Sequence, residues 1–280
     1  MTIPKRIIDN HNIAVKACRH GIFAYLVNDL FIGKSLDLYG EWTEPELTLL
    51  QNFIFPKSVV IDAGAFIGTH TVTFAKMAGY HGFVYAFEPQ RIAYNLLCGN
   101  VSLNNLLNVK CFNAGLSDLP GKVHVPLLAP SSKQNFGGLN LMGFSEGDMV
   151  QITTVDNLNL KACNLIKADV EGMEANILKG GEKTIRKFKP VLYLENNRRE
   201  TSEKTIKTVF DLGYKCYWHI LNYFNPDNFF GHKKNIFKNY PPEANMLCLP
   251  TDLGINLPNN QGLIEVSGPD DYWEEALKRI

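Results

Sequence analysis

The sequence has no surplus of charge. Lys plus Arg and Asp plus Glu are 28 each, so the net charge is zero. That argues against a nucleic-acid binder working through a broad basic field. No apolar run approaches the roughly 18 residues of a membrane helix. The opening Met-Thr-Ile-Pro-Lys-Arg runs into polar Asp9, Asn10, His11 and Asn12 instead of the apolar core of a secretory signal. The six cysteines (Cys18, Cys98, Cys111, Cys163, Cys216, Cys248) contain no Cys-x-x-Cys pair, and they read as reduced thiols in a cytoplasmic protein. Repeats and low-complexity tracts are missing as well. What remains is an ordinary globular chain of 280 residues, long enough to bury a large core.

One further absence concerns glycine. Val59, Val60 and Ile61 form a β-branched run of the kind buried on both faces in a parallel sheet. Asp62 ends that run, Gly64 and Gly68 follow, and Thr71, Phe74 and Ala75 open a helical pattern that Gly79 is placed to cap. Phe83–Phe87 is a second apolar strand, again ending in an acid, Glu88. This is half of a nucleotide-binding α/β unit, but a dinucleotide turn has three glycines and this one has two. A carboxylate at Asp62 would also repel a pyrophosphate seated on the helix N-terminus. Glu88 lies where an acid accepts ribose hydroxyls. A ribosyl ligand with positive charge and no phosphate is S-adenosylmethionine.

Further along, Phe23–Val27 and Phe31-Ile32 flank Asn28-Asp29 as in a short hairpin, and Thr43-Glu-Pro-Glu opens a helix with Thr43 as N-cap. Strands are expected at Val109–Phe112, Val123–Val125, Val150–Val155, Leu165–Asp169, Pro190–Glu195, Cys216–Ile220 and Asn245–Leu249. Residues 131–138 read as an active-site loop. Asn222–Tyr240 is an aromatic-rich insertion suited to cover a hydroxyl-bearing ring. Strands alternating with helices predict a doubly wound, mostly parallel sheet. The organisation expected is an N-terminal hairpin and helix cap (1–57), a catalytic domain (58–250) and a C-terminal tail (251–280).

Three segments together resemble the FkbM family of S-adenosylmethionine-dependent methyltransferases: Asp62-Ala-Gly-Ala-Phe-Ile-Gly-Thr-His-Thr71, Val84-Tyr-Ala-Phe-Glu-Pro-Gln90 and Leu165-Ile-Lys-Ala-Asp-Val-Glu-Gly-Met-Glu174. Phe66 stands where that family usually has Asn. The resemblance implies a seven-stranded Rossmann-like sheet and a cofactor site drawn from Asp62, Gly64, Ala65, Gly68, Thr69, Glu88 and Asp169. It also implies that Ser117 and Asp118 lie near the adenine, and that Glu41, in a loop over the cofactor, is a contact. O-methylation of a sugar, glycan or secondary-metabolite hydroxyl is the activity it implies.

In doubly wound sheets ligands bind outside the carboxyl ends of the strands, and Asp62, Glu88, Asp169 and Glu195 all fall at such ends. Asp169 is the first candidate for the catalytic or acceptor-orienting group, followed by Glu171, Glu195, His70 and His219. Asp169 with Glu171, and Glu195 with Asn196, also form an oxygen-only set suited to Mg²⁺ or Ca²⁺, although Lys167 on the same strand face can neutralise Asp169 without a metal. Two other readings stay open: a non-catalytic nucleoside- or sugar-binding protein, and an NAD-dependent oxidoreductase, which the missing glycine and Asp62 disfavour.

Overall fold

The chain starts with an antiparallel sheet of β1 (Ile8–Asp9), β2 (Ile13–Cys18) and β3 (Gly21–Leu26). The computed structural model describes residues 4–140, 143–255, 257 and 262–279. The hairpin turn falls at Arg19-His20, not at the expected Asn28-Asp29. Asp29 instead accepts the Gly33 N–H through Oδ2 at 2.6 Å and leads into α1 (Ile32–Leu38), because its buried carboxylate is a better partner for a helix entry than for a strand turn. Helix α2 (Glu44–Leu50) begins where expected, but Thr43 is left-handed (φ 39°) and its Oγ1 makes no cap bond. Pro45 and the first-turn acids Glu44 and Glu46 set this start instead.

The central sheet follows: β4 (Val59–Ala63), α3 (Thr69–Ala78), β5 (Phe83–Phe87), α4 (Arg91–Leu103) and β6 (Val109–Phe112). A side sheet of β7 (Ala114–Leu116), β8 (Gly121–Val125) and β9 (Asp148–Thr153) interrupts it. The chain then returns with β10 (Leu165–Ala168), α5 (Glu174–Gly180), α6 (Glu182–Phe188), β11 (Val191–Glu195), α7 (Arg199–Asp211), β12 (Tyr214–Leu221) and β13 (Glu243–Pro250), ending in β14 (Ile264–Glu265) and α8 (Trp273–Leu277). The strand order is β14-β12-β13-β11-β10-β4-β5-β6. Strands β4, β5, β6, β10 and β11 are mutually parallel, and β13 runs against β11. The sheet is therefore doubly wound and mostly parallel, but among the described residues it has eight strands, not the expected seven. The extra one is a two-residue edge strand from the C-terminal stretch, paired with Tyr217 and Trp218.

Side-chain alternation divides the core between the two faces of the sheet. Ile61, Ile166, Leu192 and Met246 pack with Ile177, Ile206 and Val209 of α5 and α7. Val60, Leu165, Tyr193 and Leu247 pack with Leu47, Leu50 and Phe74 of α2 and α3. Each such aliphatic side chain contributes about 1.5–3 kcal/mol on burial. The second face turns polar near the carboxyl ends, where Asp62 and Lys167 sit opposite each other in register. That change of character marks the site.

Candidate functional site

The turn after β4 is fixed by backbone. Gly64 and Ala65 both donate to the Phe87 carbonyl at 3.0 Å, tying the turn to the end of β5. Gly64 has φ +79°, and a Cβ there would lie 1.8 Å from the Asp169 carbonyl oxygen. Only glycine allows β4 and β10 to close in this way. Gly68 (φ +86°) supports α3, and a Cβ there would meet Leu97 of α4 at 2.7 Å. Phe66 is left-handed as well, at φ +47°. Asn tolerates that region better than an aromatic residue does, which gives the family's usual Asn a conformational reason. The Phe66 amide donates to Glu88 Oε2 at 2.9 Å, and the Gln90 amide donates to Glu88 Oε1 at 2.7 Å. Burial nevertheless pushes the Glu88 carboxyl up to about 7.

These residues open into a cleft of about 930 Å³ when the open solvent at its mouth is counted. Gly64, Ala65, Phe66, Thr69, Glu88 and Gln90 line one half of it. Asn135, Phe136, Gly137 and Gly138 also line it, so the 131–138 loop is at the site. That loop is pinned: Gln90 Nε2 donates to the Phe136 carbonyl at 3.0 Å and the Phe136 amide donates to Asp29 Oδ1 at 3.3 Å. Asp62 lies beneath the cleft, fully buried, with Thr71 Oγ1 donating to its Oδ2 at 2.5 Å.

Strands β10 and β11 bring Asp169, Glu171 and Glu195 together, with one oxygen of each lying within 4.8 Å of the others. The turn that carries Asp169 and Glu171 is held by Glu174, whose Oε1 accepts the Val170 and Gly172 amides at 3.1 and 3.2 Å. Glu171 itself is left-handed at φ +58°, a strained position of the kind found at functional turns. Burial raises Asp169, but the Lys167 ammonium 3.0 Å from its Oδ2 outweighs that and leaves it below the usual carboxylate range. Glu195 behaves oppositely. Burial, then Asp169 and Glu171, push it well above that range, so it holds a proton. One carboxyl is kept ionised beside another kept neutral, the arrangement of an acid and a base set by environment.

Beneath them lies a buried polar layer. His70 Nε2 sits 2.9 Å from Glu46 Oε2, though with no hydrogen bond aligned between them. Burial drives the imidazole down to about 3 and the Glu46 carboxyl up to about 8, so neither is charged at neutral pH. Asn245 Nδ2 donates to Glu46 Oε1 at 3.0 Å. His70, Lys167 and Glu243 reach the cleft from this layer. His219 is buried against the Tyr193 hydroxyl at 2.8 Å and is absent from the cleft lining.

Asp62 and Gly68, expected as cofactor contacts, support the turn without lining the cleft, and three further expected contacts lie elsewhere. The Glu41 carboxylate is saturated by Arg19 Nε, Asn225 Nδ2 and the Phe229 amide, each at 2.7 Å. It fastens the 222–240 insertion to the N-terminal cap and does not line the cleft. Ser117 and Asp118 also fall outside the lining. Parallel pairing of β7 with β9 draws that segment to the far end of α5, where the Ser117 carbonyl packs on Gly180. Of the insertion, Tyr223 reaches the cleft, whereas Phe224 and Phe237 pack against Tyr39, Trp42 and Phe31. The sequence reading did not single out Trp42, Phe31, Gln90 or Glu243 as site residues. A signal for Glu243 exists: β13 runs antiparallel beside β11 with Asn245 opposite Glu195, so an acid two positions earlier in the chain overhangs the same sheet edge.

The oxygen set does not call for a divalent ion. Lys167 pairs with Asp169, and Arg198 Nη2 donates to Glu171 Oε2. Asn196 Nδ2 donates to Ser202 Oγ and Met246 Sδ. Two of the three carboxylates thus already have a cation, and the third holds a proton.

Residues 62–216, more than half the chain, match the model of the methyltransferase FkbM domain, and the chain belongs to that family. It is 34% identical over 86 residues to the ribosomal protein L11 methyltransferase of Thermoanaerobacter pseudethanolicus, a stretch covering 30% of this chain and 27% of that one. The chain thus spans about a quarter of the length of the curated relatives it matches. Among solved structures it is similar to an FkbM methyltransferase of Methylobacillus flagellatus KT (TM-score 0.47, 19% identity, 69% of this chain and 44% of that one). It is also similar to precorrin-6y C5,15-methyltransferase of Geobacter metallireducens GS-15 (TM-score 0.49, 14% identity, 74% and 87%). Among the described residues no helix is long and apolar enough to cross a membrane.

Proposed function

We propose that this chain is an S-adenosylmethionine-dependent O-methyltransferase acting on a hydroxyl of a sugar, glycan or secondary-metabolite acceptor. The observation that carries the reading is the pair Asp169 and Glu195, one ionised and one protonated, at the mouth of a Gly64–Gly68 turn in an acid-lined cleft. Glu88, Asp169, Glu171, Glu195 and Glu243 line it, and the basic side chains among the described lining residues are Lys167, already paired, and His70, held neutral by burial. Such a wall disfavours a pyrophosphate and suits a phosphate-free, cationic nucleoside. S-adenosylmethionine supplies the electrophilic methyl group when bound.

The chain's own residues have the remaining work. Gly64 and Ala65 present backbone to the cofactor without side-chain obstruction. Glu88 is placed to accept from the ribose hydroxyls, and the fixed turn aligns donor and acceptor, which is where most of the rate is gained. Asp169 is placed to take the acceptor hydroxyl's hydrogen bond and then its proton. Glu195 holds its proton against Asp169, keeping the latter's second oxygen oriented.

Calorimetry with S-adenosylmethionine and with NAD tests the cofactor: binding of the first and not the second is expected, and the reverse overturns the reading. Asp169→Asn should keep cofactor affinity and lower turnover on a hydroxyl acceptor by about 10²–10⁴. Cofactor binding with no methyl transfer to any of a panel of hydroxylated acceptors would point instead to a binding protein.

A further inference from the structure

The cleft has a second half that the cofactor reading leaves unexplained. Its walls are Phe31, Trp42 and Tyr223, and its floor is Glu195 and Glu243. Trp42 and Tyr223 stack at 5.4 Å, and Phe31 meets Tyr223 edge-on, also at 5.4 Å. Phe237 packs behind Tyr223 at 5.5 Å and fixes it. Glu243 is 7% exposed, yet its Oε2 has no hydrogen-bond partner among the described residues. Glu195 Oε2 is likewise without a hydrogen-bond partner among the described residues, but Asn197 Nδ2 donates to its Oε1 at 2.6 Å and its proton lies toward Asp169, whereas Glu243 faces the rings.

Resting on the reading of this cleft as a methyl-transfer site, we propose that the acceptor carries a cationic nitrogen, an ammonium group held by Glu243 against the Trp42, Tyr223 and Phe31 rings. A hydroxyl could satisfy the orphan oxygen, but it would gain nothing from the ring faces, which attract a cation. The ammonium that acts on Glu243, Lys167, is already paired with Asp169, and burial holds the His70 imidazole down to about 3. Burial, then Glu46 and Asp169, push the Glu243 carboxyl well above the carboxylate range, so in the absence of a ligand it keeps a proton that a cation would replace. Ionising a buried acid whose nearest ammonium is already paired is costly, and an entering cation lowers that cost.

A hydrated metal ion fits this half poorly. Glu243 stands outside the group of acids whose oxygens converge, and the Phe31 and Trp42 rings on its side of the cleft offer a hard cation no oxygen ligands. The same rings attract an organic ammonium through their π faces. With the cofactor's α-ammonium assigned to the turn at Gly64 and Asp169 on that reading, the Glu243 side is left to a second cation.

The test uses the whole protein saturated with S-adenosylhomocysteine, which brings its own ammonium. Choline and its neutral isostere 3,3-dimethyl-1-butanol are then titrated calorimetrically. Choline should bind at least about tenfold more tightly, a typical desolvated cation–π increment. Glu243→Gln and Tyr223→Leu should each reduce that preference to about threefold or less, in samples that still bind S-adenosylhomocysteine. Equal affinity for the two probes, no choline binding, or a preference untouched by both substitutions overturns the inference. Failure to bind S-adenosylhomocysteine overturns the methyltransferase reading itself, so the two failures are distinguishable.

Discussion

Glu88 and Glu243 are both acids at the carboxyl edge of one sheet, and both line one cleft, yet they are built into it differently. Glu88 is met by two backbone amides, Phe66 and Gln90, from the segments on either side of it. Glu243 has one oxygen with no partner and sits among rings brought in from Phe31, Trp42 and Tyr223. The first half of the cleft is a backbone construction of contiguous sequence, in which the Glu88 carboxylate is met by amides although Gln90 Oε1 is left without a partner. The second is a side-chain construction from four distant segments and leaves a group to be satisfied from outside. A shared cofactor suits the first kind of wall, because its contacts depend on conformation more than on side-chain identity. A particular acceptor suits the second, where a single substitution changes what is recognised.

The hardest break in this comparison is at Gly64. An alanine there must place its Cβ 1.8 Å from the Asp169 carbonyl at φ +79°, so β4 and β10 would have to part. The expected cost is about 3 kcal/mol of stability, together with loss of cofactor binding. Denaturant unfolding with parallel calorimetry reads both. Glu243→Ala makes a useful contrast, since it should lose acceptor recognition while cofactor affinity survives. If Gly64→Ala were as stable as the parent, the backbone account of the first half would fall.

A smaller effect is expected at Glu88. Removing its carboxylate should weaken S-adenosylhomocysteine binding by about 10–150-fold, from the roughly 1.5–3 kcal/mol of a charged hydrogen bond. Because burial pushes this carboxyl up to about 7, two pH effects oppose each other. The folded value lies above the unfolded one, so the stability Glu88 contributes is fully present below about pH 4.5 and is lost as pH rises through about 7. Ribose hydroxyls donate to the ionised form, so cofactor affinity should rise over the same window. Glu88→Gln should flatten both curves relative to the parent, which isolates this residue from Glu174, raised to about 7, and Glu46, raised to about 8. An affinity profile that does not change with pH in the parent would take Glu88 off the ribose.

The same contrast explains what could be read from sequence. Val59–Glu88 announces its strand, turn, helix and strand because every constraint on it is local: β-branched residues, two glycines with positive φ, and an acid at each strand end. Gly64, Ala65, Thr69 and Glu88, expected as cofactor contacts, all line the cleft. Ser117 and Asp118 were misplaced because the pairing of β7 with β9 spans over thirty residues, and no local pattern reports it. Glu41 has a buried carboxylate in a loop near the site, which reads like a ligand contact, but its partners Arg19, Asn225 and Phe229 lie at both ends of the chain. Trp42 and Glu243 were missed for the same reason. The eighth strand is only two residues long, too short for alternation to show.

The smallest expected effect is that of a chelator. The oxygens of Asp169, Glu171 and Glu195 converge within 4.8 Å, a spacing that would admit Mg²⁺ if the three were free. They are not free. Lys167 holds Asp169 at 3.0 Å, Arg198 holds Glu171, and Glu195 is pushed up until it keeps its proton. A divalent ion entering here must displace two cations and a proton, whereas hard-cation sites ordinarily present ionised, unpaired carboxylates and water. Turnover should therefore be unchanged after EDTA treatment and unchanged on readdition of Mg²⁺. Arg198→Ala sharpens the test: it frees Glu171, so if the pairing is what excludes the ion, this variant should gain Mg²⁺ binding measurable by calorimetry while the parent shows none. Turnover in the parent that disappears with EDTA and returns with Mg²⁺ would mean that the ion pairs rearrange around a metal, and Asp169 would then orient the acceptor through that ion instead of taking its proton directly.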